Sequence, residues 1–224
     1  MKLKQEFPEQ YEILKEVFDP QEIETKCSRL NSIYRDCESA WEKNLDRLKN
    51  IKIKYLLIGE AAPWTQEDGI RYFYKTFDSG KDKRGNDKPV NWIRGVWNAF
   101  YDDSPPEDVD SSLNMLANKQ FLLVDSLPFA MQYTAKIRNT ESYAKLVSSC
   151  CEYLSSKINK IRLSNDVKIA IAFKLNGERI IDACSQKIKL PSGQVLNSKM
   201  IAATGSGFPT CSSLKKIWHI RIKG

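Results

Sequence analysis

The chain has 224 residues, of which 42% are hydrophobic and 28% charged, and it carries a formal net charge of +7. This length suits one well-buried domain, and no apolar run is long enough to span a membrane, so we expect no membrane partner. The positive charge favours an anionic partner such as nucleic acid, although lysine-rich surfaces also serve solubility.

The first fifty residues are predicted to form helices. Glu9 to Val17 has the apolar spacing of an amphipathic helix, Asp19-Pro20 interrupts it, and a long second helix follows from Gln21 to Asn50. We interpret residues 1–50 as an N-terminal helical extension of an α/β domain that covers residues 51–224. The two parts together should form one compact domain.

Apolar runs predict four strands in the rest of the chain. They are Ile53 to Ile58, Phe121 to Asp125, Val167 to Phe173 and Met200 to Ala203. The first three are separated by enough residues for at least one helix, for instance Asn91 to Tyr101 and Thr140 to Ile158, and this spacing favours parallel pairing. The sequence therefore predicts a four-stranded parallel sheet sandwiched between helices. Asp78 to Pro89 is polar and contains glycine, which predicts an exposed loop.

Six cysteines and one histidine provide no recognisable metal pattern. The cysteines contain no C-x-x-C pair, so we expect reduced thiols, no metal and no other cofactor. Cys150 and Cys151 are adjacent within a predicted helix, so at most one of them should face the core. His219 follows an apolar segment near the C-terminus, where a structural or surface role is expected.

The predicted strand ends carry the residues that could perform chemistry. The first strand stops at Gly59-Glu60-Ala61-Ala62-Pro63, the second ends in Asp125, and the fourth leads into Thr204-Gly205-Ser206-Gly207. Parallel α/β sheets bind ligands at the carboxyl ends of their strands, so Glu60 is the first candidate. Alternatively, Glu60 could bond to its own turn or to a lysine, and Asp125 could cap the N–H groups of Ser126 and Leu127.

These segments resemble the motifs of the uracil-DNA glycosylase superfamily, by element order from about Lys52 to the C-terminus. Gly59-Glu60-Ala61-Ala62-Pro63 is similar to the family's first motif, a Gly-Glu-Ala-Pro-Gly type turn that positions the hydrolytic water, although Trp64 replaces the final glycine. Asp125 stands where the family commonly has an asparagine that reads the base edge. Thr204 to Pro209 occupies the place of the family's second motif, often His-Pro-Ser-Pro, but contains no histidine.

The resemblance implies a DNA-repair hydrolase that flips a damaged or deaminated base and cleaves its N-glycosidic bond. Glu60 would be catalytic and orient the water, and Asp125 would contact the base. Stacking on the base would come from Trp64, Phe73 or Tyr74, for which core packing is the alternative. Contacts to DNA and its phosphates are expected from Gly59, Ala61, Thr204, Gly205, Ser206 and Gly207. An ionised aspartate only accepts hydrogen bonds, so Asp125 would favour a base with adjacent donors over uracil.

Two other functions stay open on the sequence. The missing histidine and Asp125 fit a family member that has lost catalysis and binds nucleic acid or a nucleotide. The Thr204 to Gly207 segment alone would suit an unrelated doubly wound domain that binds a nucleotide or sugar phosphate. We expect a monomer that binds DNA and, because the first eight residues lack the apolar core of a signal peptide, a cytoplasmic location.

Overall fold

The computed structural model describes residues 3–65, 72–75, 78–81, 87–89, 91–101, 108–202 and 209–220. In chain order, its helices and strands are α1 (Leu3–Glu6), α2 (Pro8–Val17), α3 (Pro20–Leu48), β1 (Ile53–Gly59), β2 (Asp78–Lys81), β3 (Asp87–Pro89), α4 (Asn91–Phe100), α5 (Val109–Asn118), β4 (Phe121–Asp125), α6 (Ala135–Arg138), α7 (Glu141–Ser149), α8 (Cys151–Asn159), β5 (Leu163–Ile171), α9 (Lys174–Cys184) and α10 (Cys211–Trp218). Within the described ranges, every helix is too short or too polar to cross a membrane.

An open, parallel, three-stranded sheet lies among the helices in the order β4-β1-β5. Gly59 at the end of β1 pairs with Asp125, and Ile58 pairs with Ile171. The predicted α/β class is confirmed, but the prediction of four strands is wrong. The described part of the fourth run, Met200 to Ala202, contributes one parallel bridge, from Ile201 to Ile171, because a 3-10 turn occupies Ser198–Met200.

The N-terminal helices pack onto the sheet and share its hydrophobic core. The fully buried Trp41 of α3 donates its indole N–H to the carbonyl of Leu123 in β4, at 3.3 Å. The hydroxyl of Tyr74 lies 2.7 Å from both the N–H and the carbonyl oxygen of Leu123. These two aromatic residues therefore satisfy backbone groups on the outer edge of β4, which would otherwise be open for pairing.

One helix boundary was predicted from the sequence and another was not. The predicted break at Asp19-Pro20 is confirmed, since the Asp19 carboxylate accepts hydrogen bonds from the N–H groups of Gln21 and Glu22. The single helix predicted from Thr140 to Ile158 is instead two helices, α7 and α8, which meet at Cys150.

The interruption at Cys150 changes the outcome for the cysteines. It shifts the helical phase, so Cys150 and Cys151 are both fully buried, and the prediction that at most one faces the core was wrong. Cys151 forms a disulfide with Cys184 of α9, which corrects the expectation of reduced thiols throughout. Within the predicted loop from Asp78 to Pro89, β2 and β3 pair antiparallel.

Candidate functional site at the carboxyl edge of the sheet

The strand order places a topological switch point at the end of β1. The chain leaves β1 to form β4 on one side and later crosses to β5 on the other, and such a switch point is where open α/β sheets bind ligands. Beyond the strands, the N–H groups of Ser126 and Leu127 donate to the carbonyls of Gly59 and Glu60 at 3.0 and 2.8 Å. Because these N–H groups bond to the β1 end, the capping role considered for Asp125 does not occur.

Glu60 is held by a buried ion pair. Arg138, at the end of the one-turn helix α6, donates from Nε and Nη2 to the two carboxylate oxygens, both at 2.7 Å. Only 5% of Glu60 and 6% of Arg138 is exposed. A bidentate guanidinium–carboxylate pair is strong and fixes orientation, so Arg138 compensates the Glu60 charge and holds its carboxylate in place. The partner is thus neither the Glu60 turn nor a lysine.

Tyr143 of α7 links Glu60 to Asn176 in the first turn of α9. Its hydroxyl lies 2.5 Å from Glu60 Oε1 and 3.0 Å from Asn176 Oδ1. Burial, followed by the Glu60 charge, raises the Tyr143 pKa well above its ordinary value, so the hydroxyl stays protonated. One proton cannot serve two acceptors, and the buried Asn176 Nδ2 has no hydrogen-bond partner among the described residues. Turning the amide would let Asn176 donate to Tyr143 while Tyr143 donates to Glu60.

Asp125 occupies a separate polar environment. It lines a cavity of about 10 Å³, room for about one water molecule, together with Ala62 and Tyr72. Burial raises the Asp125 pKa to about 6, although the charge of Lys157 and a hydrogen bond from Tyr72 oppose that shift. Glu60 does not line this cavity. The two carboxyl groups therefore end neighbouring strands but face different surroundings.

A buried lysine pairs with a carboxylate that lines the Asp125 cavity. The side chain of Lys157 in α8 is 4% exposed, and its Nζ lies 2.6 Å from Glu38 Oε1. Tyr153 donates to the same oxygen at 2.8 Å. Glu38 and Tyr153 also line the cavity beside Asp125.

The three aromatic candidates are dispersed. Phe73 and Tyr74 are buried at the outer edge of β4, where the ring centroids of Phe73 and Phe121 are 5.8 Å apart. Neither residue lines the Asp125 cavity. Trp64 is half-buried with the Lys26 ammonium 4.7 Å from its ring. Tyr72, the residue before Phe73, donates a hydrogen bond to the Asp125 carboxyl group.

The remaining predicted site residues divide into two groups. Gly59 is the last residue of β1 and pairs with Asp125, and the half-buried Ala61 lies in the segment that follows the strand. The predicted phosphate-binding segment, Thr204 to Gly207, lies outside the described residues. His219 is exposed at the end of α10, with a positive φ of 53°. In the described ranges no group of three or more His, Cys, Asp or Glu side chains is placed to hold a metal ion.

Sequence reasoning missed Arg138, Tyr143 and Asn176, which complete the surroundings of Glu60. Arg138 and Tyr143 follow Glu60 by 78 and 83 residues, and no local pattern distinguishes them from other arginines and tyrosines. Asn176 carried a weak signal, since it follows the third predicted strand.

Comparisons with protein-family models, with curated proteins and with solved structures find no match to this chain.

Proposed function

We propose that the chain binds DNA at the carboxyl edge of its sheet and hydrolyses the N-glycosidic bond of a damaged or deaminated base. The observation that carries this proposal is the position of two buried carboxyl groups, Glu60 and Asp125, at the ends of neighbouring parallel strands. Cleavage of an N-glycosidic bond places positive charge on the sugar and negative charge on the departing base. A carboxylate near the sugar and a hydrogen-bond donor at the base stabilise that charge separation.

The environment of Asp125 supports a role in base recognition. With a pKa of about 6, its carboxyl group is protonated in mildly acidic solution and then offers both a donor and an acceptor. This is the pattern that an asparagine amide presents, so protonated Asp125 would suit a base edge with a carbonyl next to an N–H. The cavity has room for about one water molecule, so Tyr72 or its neighbours would move when a base enters.

Glu60 fits the positioning of a water molecule within limits set by its partners. A carboxylate offers about four lone-pair directions, and Arg138 and Tyr143 occupy three of them. Among the described residues no other group donates to this carboxylate, so one direction is left for water. The same crowding favours a second candidate function, DNA binding without hydrolysis, because Arg138 and Tyr143 already take most of the hydrogen-bonding capacity of the carboxylate.

Oligonucleotides that carry uracil, hypoxanthine or xanthine, in single and double strands, would test both functions. Abasic sites are detected on a gel after alkaline cleavage, over a range of pH from about 5 to 8, and binding is measured by fluorescence anisotropy at several salt concentrations. The variants are Glu60→Gln, Tyr143→Phe, which keeps the ion pair, and Asp125→Asn. Glu152→Gln, an exposed carboxylate of α8, is the matched control.

Cleavage that falls in Glu60→Gln and Tyr143→Phe but persists in Glu152→Gln supports the hydrolase. Salt-dependent binding without cleavage of any substrate supports the second candidate instead. If no oligonucleotide binds even at low salt, both functions are excluded. Circular dichroism of each variant separates a loss of chemistry from a loss of folding.

A further inference from the structure

A second pocket opens at the opposite, amino edge of the sheet. It has a volume of about 260 Å³ and lies where α3 and α8 end and where β1 and β5 begin. Its apolar walls consist of aliphatic side chains, namely Leu45, Leu48, Ile51, Ile53 and Ile161. Ile53 starts β1 and Glu60 follows its end, so the two sites are separated by the length of the strand, about 20 Å.

The walls of this pocket are ordered by backbone hydrogen bonds. The N–H of Ile53 donates to the carbonyl of Arg162 at 2.7 Å, and the N–H of Ile51 donates to the carbonyl of Leu48 at 2.8 Å. Ile53 and Leu48 are buried and belong to the hydrophobic core, whereas Leu45, Ile51 and Ile161 are partly exposed. The pocket is therefore a preformed apolar depression attached to the core.

Its rim is positively charged. Lys49, Lys160 and Arg162 line the pocket and are exposed, and none of them forms an ion pair with another described residue. Asp46 is the acidic residue among the lining side chains.

The negative ends of two helix dipoles offset part of this positive charge. Lys49 and Lys160 are the C-caps of α3 and α8, where a cation offsets a partial charge of roughly −0.5 at each helix end. Arg162 is not at a helix end, and no carboxylate of the described residues pairs with it. After Asp46 and the two helix ends are subtracted, the rim keeps roughly one positive charge. An occupant should therefore be both apolar and anionic.

We propose that this amino-edge pocket docks an acidic segment of a partner protein, with one bulky apolar side chain of that segment in the pocket and its carboxylates on the rim. A phosphate group would leave the aliphatic walls unused. The volume lies slightly below the range of about 300–1,000 Å³ that is usual for small-molecule sites, but it suits a single anchoring side chain.

Selection from a phage-displayed library of random dodecapeptides on the immobilised full chain tests this proposal. The variant Lys160→Glu/Arg162→Glu reverses two of the three rim cations and leaves Lys49 in place, and Leu45→Gln makes one wall polar. The matched control is Lys199→Glu/Lys216→Glu, which reverses two exposed lysines that do not line the pocket. Circular dichroism confirms that all variants fold.

Selected peptides should combine several acidic residues with one large apolar residue. In fluorescence anisotropy, the Kd of such a peptide should rise about tenfold for Lys160→Glu/Arg162→Glu and for Leu45→Gln, and change less than about twofold for the control. Replacing the apolar residue of the peptide by serine should weaken binding similarly.

Failure to enrich acidic peptides with an apolar residue would overturn the proposal, as would an equal loss of binding in the control. If the variant Lys160→Glu/Arg162→Glu binds DNA more weakly but binds the peptide as well as the parent chain does, the rim is a nucleic-acid surface. The protein-docking proposal is then wrong. Base excision at the other edge of the sheet is measured separately, and its presence or absence does not affect these outcomes.

Discussion

Removal of one partner from the Glu60–Arg138 ion pair should strongly destabilise the fold. Both side chains are less than a tenth exposed, so Glu60→Gln leaves the Arg138 charge buried without compensation. Breaking a buried pair in this way costs about 3–5 kcal/mol, from a total free energy of unfolding of about 5–15 kcal/mol for a typical domain. For a chain of this size, the melting temperature should fall by roughly 6–20 °C.

The double variant Glu60→Gln/Arg138→Met shows how much of the lost stability comes from the unpaired charge and how much from lost packing. It removes both charges, so it should cost much less than the sum of its single variants, with a coupling energy of about 2–3 kcal/mol. Urea unfolding at neutral pH, followed by circular dichroism and tryptophan fluorescence, measures these differences. Equal slopes of the unfolding transitions are required before the free energies are compared.

Glu141→Gln provides the control for this cycle. Glu141 pairs with Lys145 on the surface, where the two side chains are 85% and 57% exposed, so its loss should cost less than about 1 kcal/mol. If Glu60→Gln is no more destabilising than Glu141→Gln, the carboxylate of Glu60 is not held by Arg138.

Three further predictions concern pH, the disulfide and helix packing. Burial raises the Asp125 pKa from 3.8 to about 6, so this group stabilises the fold below pH 3.8 and loses about 3 kcal/mol of that contribution as pH rises to 6. The free energy of unfolding of Asp125→Asn, relative to that of the parent chain, should therefore increase as pH rises from 3.8 to 6 in urea titrations. A difference between the two that does not change with pH would contradict the raised pKa. Reduction of Cys151–Cys184, which spans 33 residues, should lower the free energy of unfolding by roughly 3–4 kcal/mol, with no effect of reductant on Cys151→Ala/Cys184→Ala. Gly95→Ala would place a Cβ 2.5 Å from the Pro209 carbonyl oxygen and should lower the free energy of unfolding by about 1–3 kcal/mol. Gly177→Ala should cost less, because its Cβ would lie 3.1 Å from the side chain of Ile201. Calorimetric melting of the two variants compares them.

Local sequence signals predicted the main elements of the fold well. The run through Leu56, Leu57 and Ile58 is a strand with all three side chains fully buried. Asp19-Pro20 sets the start of α3 because the carboxylate caps N–H groups only two and three residues away. These features depend on contacts between near neighbours, which the sequence contains directly.

Other features depended on what the chain meets after it folds. The fourth predicted strand shortens to one bridge at Ile201, and the predicted single helix divides at Cys150, although the apolar patterns there resemble those of the elements that form. In both places, neighbouring turns and packing, rather than local preference, decide how far regular structure continues.

The candidate site shows the same division. The sequence by itself determined that Glu60 follows a buried strand and that Asp125 ends another, because hydrophobic runs and their interruptions are local. Only the tertiary structure decided that Arg138 and Tyr143 hold Glu60, and that Tyr72 contacts Asp125 in a cavity shared with Glu38. Those partners come from other helices and loops, since a charge buried by folding must be compensated by whichever groups the packing brings within hydrogen-bond distance.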